Sequence, residues 1–174
     1  MFNFDSILEI TVLTAEEKNK LPEEILENGA IDFWCRPSLG PVRKYGDCRD
    51  SRQDVTTRKY VRPVIRVDLG SMAEMIEVGQ PLNFIEEDWD VIDIKGTVAT
   101  LLYCGDIGKA AYNIIPLDYV DKAGRVKAEY ANKNYARFEG STLQRTVIDW
   151  LENKIELIKE DIADDRAYYS GECA

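Results

Sequence analysis

At 174 residues, 45% hydrophobic and 31% charged, the chain is long enough to bury about 70% of the surface its unfolded form would expose, so neither disulfides nor a metal is required for stability. A formal charge of −10 argues against nucleic-acid binding through the whole surface. The absence of histidine removes Ser-His-Asp and Cys-His nucleophile pairs together with the commonest metal ligand. No apolar run approaches the roughly 20 residues needed to cross a membrane. The opening MFNFDSILEI has neither a basic n-region nor a small-residue cleavage site, so a cytoplasmic protein is expected. The cysteines Cys35, Cys48, Cys104 and Cys173 stand singly, without a C-x-x-C, and read as reduced thiols with Cys35 and Cys104 buried.

In chain order, Ile7 to Leu13 is a β-branched apolar run and predicts a first strand. Thr14 and Glu17 have capping-box spacing, so a helix starts at Ala15; Pro22 restarts it and Asn28-Gly29 stops it. Ile31 to Cys35 predicts a second strand. From Arg36 to Thr57 hydrophobic periodicity disappears among Gly, Pro, Asp, Ser and Arg, which predicts a long exposed loop. Tyr60 to Leu69 returns to strand character, with Pro63 pointing to an edge or a bulge. After a connector at Glu74 to Gln80, Trp89 to Ile94, Lys95-Gly96 and Thr97 to Tyr103 form the clearest hairpin in the chain. Gly105 to Lys109 has two glycines and a lysine without phosphate-loop spacing, and reads as a hairpin loop. Residues 105 to 135 are otherwise ambiguous, with a turn at Asp121 to Gly124. Ser141 and Gln144 form a second capping box. Behind them Leu143, Val147, Leu151, Ile155, Ile158 and Ile162 mark one face of a helix running to about Arg166.

The expected fold is therefore α+β: a mostly antiparallel, twisted sheet with a short N-terminal helix and a long amphipathic C-terminal helix packed on it. A single domain over 1–174 would comprise a strand-helix-strand-basic loop-strand half (1–70), a hairpin-containing half (71–140), the long helix (141–166) and a tail (167–174).

Charge is distributed unevenly. From Arg36 to Arg66 there are nine Lys/Arg against three Asp, leaving 13 against 29 Asp/Glu elsewhere. The basic candidates are Arg43, Lys44, Arg49, Arg52, Arg58 and Lys59, whose guanidinium and ammonium groups suit phosphate or nucleic acid. Arg36 and Arg62 are expected to pair internally with carboxylates. The acidic candidates are Glu86, Glu87 and Asp88 before the hairpin, and Asp149, Glu152, Glu156 and Glu160 on the polar face of the long helix. The stretch Glu86, Glu87, Asp88, Asp90, Asp93 could in principle hold Ca²⁺ or supply a carboxylate pair. It lacks the alternating ligands and central glycine of a calcium loop. Trp34, Trp89 and Trp150 read as core.

Short motifs add a resemblance. Leu13 to Glu17, Phe33-Trp34-Cys35-Arg36-Pro37 and Val61-Arg62-Pro63 resemble the C-terminal part of a functionally uncharacterised bacterial domain family with Trp-Trp-Leu-Arg-Ser-Pro and Val-Arg-Pro motifs, distantly akin to C-type-lectin-like and formylglycine-generating-enzyme folds. Trp89 to Ile92, Tyr112-Asn113, and Ser141, Leu143, Arg145, Trp150, Leu151 and Asn153 are similar to that family's beginning. The halves stand in swapped order, and the resemblance implies no activity.

The functional expectation is a non-enzymatic binding protein with no cofactor, no metal and no catalytic residue. By physical type it matches acidic inhibitors or adaptors, anti-CRISPR-type phage proteins among them, that dock on a larger nucleic-acid-handling protein such as a Cas nuclease or its guide-RNA complex. They act by nucleic-acid mimicry or steric block. Direct DNA binding and membrane association are not expected. The alternative is a lectin-like ligand-binding module using the Arg-rich loop 38–58, and a carboxylate enzyme working through Asp90 or Asp93 is the third reading.

Overall fold

The computed structural model describes residues 4–36, 58–113 and 138–172, with helix side chains through 163. It is α+β, as expected. Strands β1 (Ile7–Thr11), β2 (Arg58–Tyr60), β3 (Val64–Asp68), β4 (Pro81–Phe84), β5 (Glu87–Lys95), β6 (Val98–Tyr103) and β7 (Lys109–Ala111) accompany helices α1 (Ala15–Asn19), α2 (Glu23–Leu26) and α3 (Thr142–Glu172). Five strands form one sheet in the order β1-β3-β6-β5-β4, every neighbouring pair antiparallel, while β2 and β7 make a separate two-stranded sheet.

Local chemistry accounts for most boundaries. Thr14 Oγ1 accepts the Glu17 amide and the Glu17 carboxylate accepts the Thr14 amide, so the predicted capping box starts α1. Pro22, with no amide to leave unpaired, stands as N-cap of α2. The long hairpin forms between β5 and β6, but its two loop residues are Gly96 and Thr97, one position later than predicted. Lys95 pairs with Val98, and Gly96 takes the positive φ of 62°. Ser141 Oγ accepts the Gln144 amide at the head of α3. The returning Gln144 carbonyl accepts from Gly140 and not from Ser141, whose own amide donates to Phe138 O.

Four expectations are corrected. Ile31 to Cys35 is not a strand. Only isolated bridges form there, Phe33 to Tyr60 and Thr14 to Arg36, because Phe33, Trp34 and Cys35 are committed to packing while Ile31 stands exposed. Pro63 marks no edge, since β3 lies between β1 and β6. Pro63 sits just before the strand, where its missing amide costs nothing and its carbonyl accepts from Tyr103. Gly105 to Gly108 links β6 to β7 across two sheets and is not a hairpin loop within one. Finally, α3 continues to Glu172, past the expected stop near Arg166. The predicted turn at 121–124 lies outside the described residues.

Two cores flank the main sheet, as the period-two alternation of strand side chains requires. Ile65, Val67, Leu101, Val91 and Trp89 pack with Leu151 and Ile158 of α3. Val64 and Leu102 pack with Leu13, Ile25, Phe33, Trp34 and Tyr112, joined by Leu143 and Val147 from the start of α3. One helix thus ties both clusters together. Trp89, Tyr103 and Trp150 meet edge to face at centroid distances of 5.1–6.0 Å, the geometry aromatic quadrupoles favour.

The turn joining β4 to β5 carries backbone strain. Phe84 pairs with Glu87, leaving Ile85 (φ 51°) and Glu86 (φ 61°) as the two loop residues in the left-handed region, where hairpins normally place Asn-Gly. Ile85 is held there by burial in the core, but Glu86 is exposed and gains no such compensation. Glu86→Gly is expected to raise stability by about 1 kcal/mol, read as a higher urea midpoint at unchanged slope.

Candidate interaction site

The strongest surface feature lies along α3. Asp149, Glu152, Glu156, Glu160 and Asp161 are all exposed. The i, i+4 spacing of Glu152, Glu156 and Glu160 stacks three carboxylates one above another, about 6 Å apart along the axis. Arg145 pairs with Asp149 at 2.8 Å and reaches Glu152 at 3.6 Å, and Lys159 stands 3.9 Å from Glu156. Glu160 and Asp161 have no ion-pair partner among the described residues. These pairs are solvated, so they screen the ridge only weakly.

The acids before the hairpin divide. Glu86 and Asp88 are exposed, and Asp88 accepts from Asn83 at 3.1 Å. Glu87 faces inward, where Lys154 of α3 and the Tyr103 hydroxyl both donate to it, so it staples the helix to the sheet. Asp90 is buried. Its two oxygens accept from Asn28 at 3.2 and 3.0 Å, and one accepts from the Cys104 thiol at 3.3 Å. Asp93 lies elsewhere, on the open face of the sheet, and no group of three metal-ligating side chains occurs among the described residues.

Of the basic candidates, Arg43, Lys44, Arg49 and Arg52 lie outside the described residues. Arg58 is exposed on β2 and donates to the Lys109 carbonyl at 3.0 Å, while Lys59 points inward to Asp32 at 2.8 Å and lies 5.1 Å above the Trp34 ring. Arg36 meets Glu17 at 3.5 Å and donates from Nε to Val12 O. Arg62 behaves differently from the expectation. It is wholly buried, and its guanidinium donates to carbonyls, not carboxylates: Tyr103 O at 3.1 and 3.0 Å, Leu26 O at 3.0 Å and Ile25 O at 3.4 Å. Sequence reasoning missed Lys109 and Tyr60, whose partnership depends on β2 meeting β7 across a long separation.

The open face of the main sheet bears a charged row, Glu9–Arg66–Thr100–Asp93, in cross-strand register. With Thr11, Glu17, Arg36, Lys95, Phe138 and Glu139 it walls a groove of about 430 Å³.

Neither described thiol is poised for chemistry. Burial pushes Cys35 up to about 11, and burial together with the Asp90 hydrogen bond pushes Cys104 up to about 12. Burial and the Glu87 hydrogen bond likewise raise Tyr103 to about 12. In the unfolded chain these groups ionise earlier, the thiols from about 8.5. Above that pH the folded state therefore binds more protons than the unfolded one, and stability falls as pH rises toward about 12. Chemical unfolding should give a midpoint that is level near neutrality and declines through that alkaline interval, less steeply in Cys104→Ser.

The chain matches no protein-family model, no curated protein and no solved structure in the comparisons made. Function is therefore read from the residues themselves. No helix among the described residues is long and apolar enough to cross a membrane.

Proposed function

We propose that this chain is a non-catalytic binding protein, an acidic inhibitor or adaptor that docks on a larger nucleic-acid-handling protein of the Cas-nuclease kind. The observation that carries this reading is the exposed carboxylate ridge of α3, with Glu152, Glu156 and Glu160 at successive turns and Asp149 and Asp161 beside them. A rigid helix holding acids at fixed spacing presents a phosphate-like field to a basic channel without the cost of ordering a loop. The high thiol values and the internally bonded Asp90 favour binding over catalysis, because the groups best placed for proton or nucleophile chemistry are committed to the fold.

The test is competition. With a captured partner holding its labelled oligonucleotide, at a salt concentration where this chain alone leaves that oligonucleotide free, added chain should release the label. A Glu152→Lys/Glu156→Lys/Glu160→Lys variant should not. Release by both proteins alike would refute the ridge as the mimic.

One observation favours a second reading, a small-ligand module of the lectin-like type: the groove over the open sheet face has Arg36, the start of the basic stretch, on its rim. Such a module predicts a thermal-shift response to a glycan or small anion that survives high salt. Arg66→Ala would remove that response.

A further inference from the structure

The two-stranded sheet gathers positive charge on one face. Arg58 and Tyr60 alternate with Lys59 along β2, and Tyr60 is opposite Lys109 on β7, so Arg58, Tyr60 and Lys109 share one face. Arg58 and Lys109 are exposed, and Tyr60 keeps 38% of its surface. The Lys109 ammonium lies 4.8 Å from the Tyr60 ring centroid, and neither Arg58 nor Lys109 has a carboxylate partner among the described residues. Beneath them Lys59 covers Trp34, and Lys18 lies 4.3 Å over Phe33 beside the bridge that joins Phe33 to Tyr60. The inner lysines are neutralised or bonded, Lys59 by Asp32 and Lys18 by the Ile31 carbonyl. Arg58, with one guanidinium nitrogen on the Lys109 carbonyl, is left facing solvent beside Lys109 and the Tyr60 ring.

We infer that this face binds single-stranded nucleic acid, with Arg58 and Lys109 on consecutive backbone phosphates and a base stacked on Tyr60. The occupant follows from the chemistry. Guanidinium and ammonium groups with no carboxylate partner among the described residues suit phosphate, and an exposed ring beside them suits an unpaired base, which a duplex does not offer. The Lys109 ammonium gives up the ring for a phosphate when the base arrives. The net charge of −10 does not forbid this. The residue after β7, Tyr112, accepts the Leu143 amide in the first turn of α3, so Glu152 to Glu160 lie roughly 14–26 Å farther along the helix. At about 0.1 M salt the Debye length is about 10 Å, so the ridge is screened while direct contacts on the patch are not.

The surface is separate from the α3 ridge and the assay needs no protein partner, so its outcome is independent of the docking reading. Fluorescence anisotropy of fluorescein-labelled oligouridine, titrated with the full chain at about 0.05–0.1 M salt, should show binding. Two phosphate contacts on a single strand predict a salt slope of about −1.4. Arg58→Glu/Lys109→Glu should weaken binding at least ~10-fold and flatten the slope, and Tyr60→Ala should weaken it ~10-fold. Both variants alter exposed side chains, and an unchanged urea midpoint shows that the fold is kept. The inference is overturned if oligouridine fails to bind, if the double variant binds as the parent does, or if a duplex binds as well as the single strand.

Discussion

Replacing Arg62 by Met is expected to cost about 3–5 kcal/mol, the range for removing one partner of a buried charged network. The guanidinium has no solvent exposure and supplies four hydrogen bonds to the carbonyls of Tyr103, Leu26 and Ile25. It therefore joins the end of β6 to the C-terminal end of α2, where helix carbonyls lack intrahelical donors and a cation is favoured. Burial lowers its pKa, with Cys104 and Asp90 acting in the opposite direction. Methionine fills the volume but removes the donors of the Tyr103 and Leu26 carbonyls, while Ile25 O keeps the Asn28 amide, and it leaves Asp90 without its compensating charge. For a chain of this size that loss lowers Tm by about 10 °C. Arg62→Lys keeps the charge but not the fork, so about half the loss remains. Urea unfolding of the pair decides it: if Met and the parent unfold together, the account of this contact is wrong.

The second large effect concerns Gly29, whose α-carbon packs against the backbone of Gly105. A Cβ at Gly29 would come within 2.5 Å of the Gly105 oxygen, 2.7 Å of its nitrogen and 2.9 Å of Arg62 Nε. Two of those three atoms are backbone and cannot swing aside. Gly29→Ala is therefore expected to cost about 3 kcal/mol, the upper part of the overpacking range. Combined with Arg62→Met the losses should be less than additive, because a methionine side chain, no longer tethered by the guanidinium's hydrogen bonds, can swing away from the added Cβ. A loss below about 1 kcal/mol for Gly29→Ala would mean the two strands of chain separate easily there.

What the sequence made legible was local. The Thr14/Glu17 box, the β5–β6 hairpin and the apolar stripe of α3 are written in spacings of two to four residues, and they stand in the structure close to where those spacings put them, with the hairpin turn one residue later and Ile162, the last of the stripe, exposed. What it hid depends on contacts between distant segments. Ile31 to Cys35 looks like a strand because its residues are apolar, yet Phe33 and Trp34 are apolar to fill the core, and only one bridge to Tyr60 results. Glu87 looks like its neighbours Glu86 and Asp88. Strand alternation turns it inward to Lys154, 67 residues away. Arg62 was expected to find carboxylates, whereas its partners are main-chain carbonyls, which every residue has and no composition reveals. The α3 ridge was legible from its i, i+4 acids. The Arg58–Tyr60–Lys109 face was not, because it needs the pairing of β2 with β7.

The claim at the centre of this account is that the α3 carboxylates form the docking surface. The most direct measurement is a paired affinity capture from nuclease-treated bacterial lysate, using the parent chain and the Glu152→Lys/Glu156→Lys/Glu160→Lys variant as baits at low and high salt, read by mass spectrometry. All three side chains are exposed, so the variant should fold, and its urea midpoint verifies that. The account predicts one stoichiometric nucleic-acid-handling protein on the parent at low salt, lost at high salt and absent from the variant. The same protein on both baits, or none on either, would contradict it.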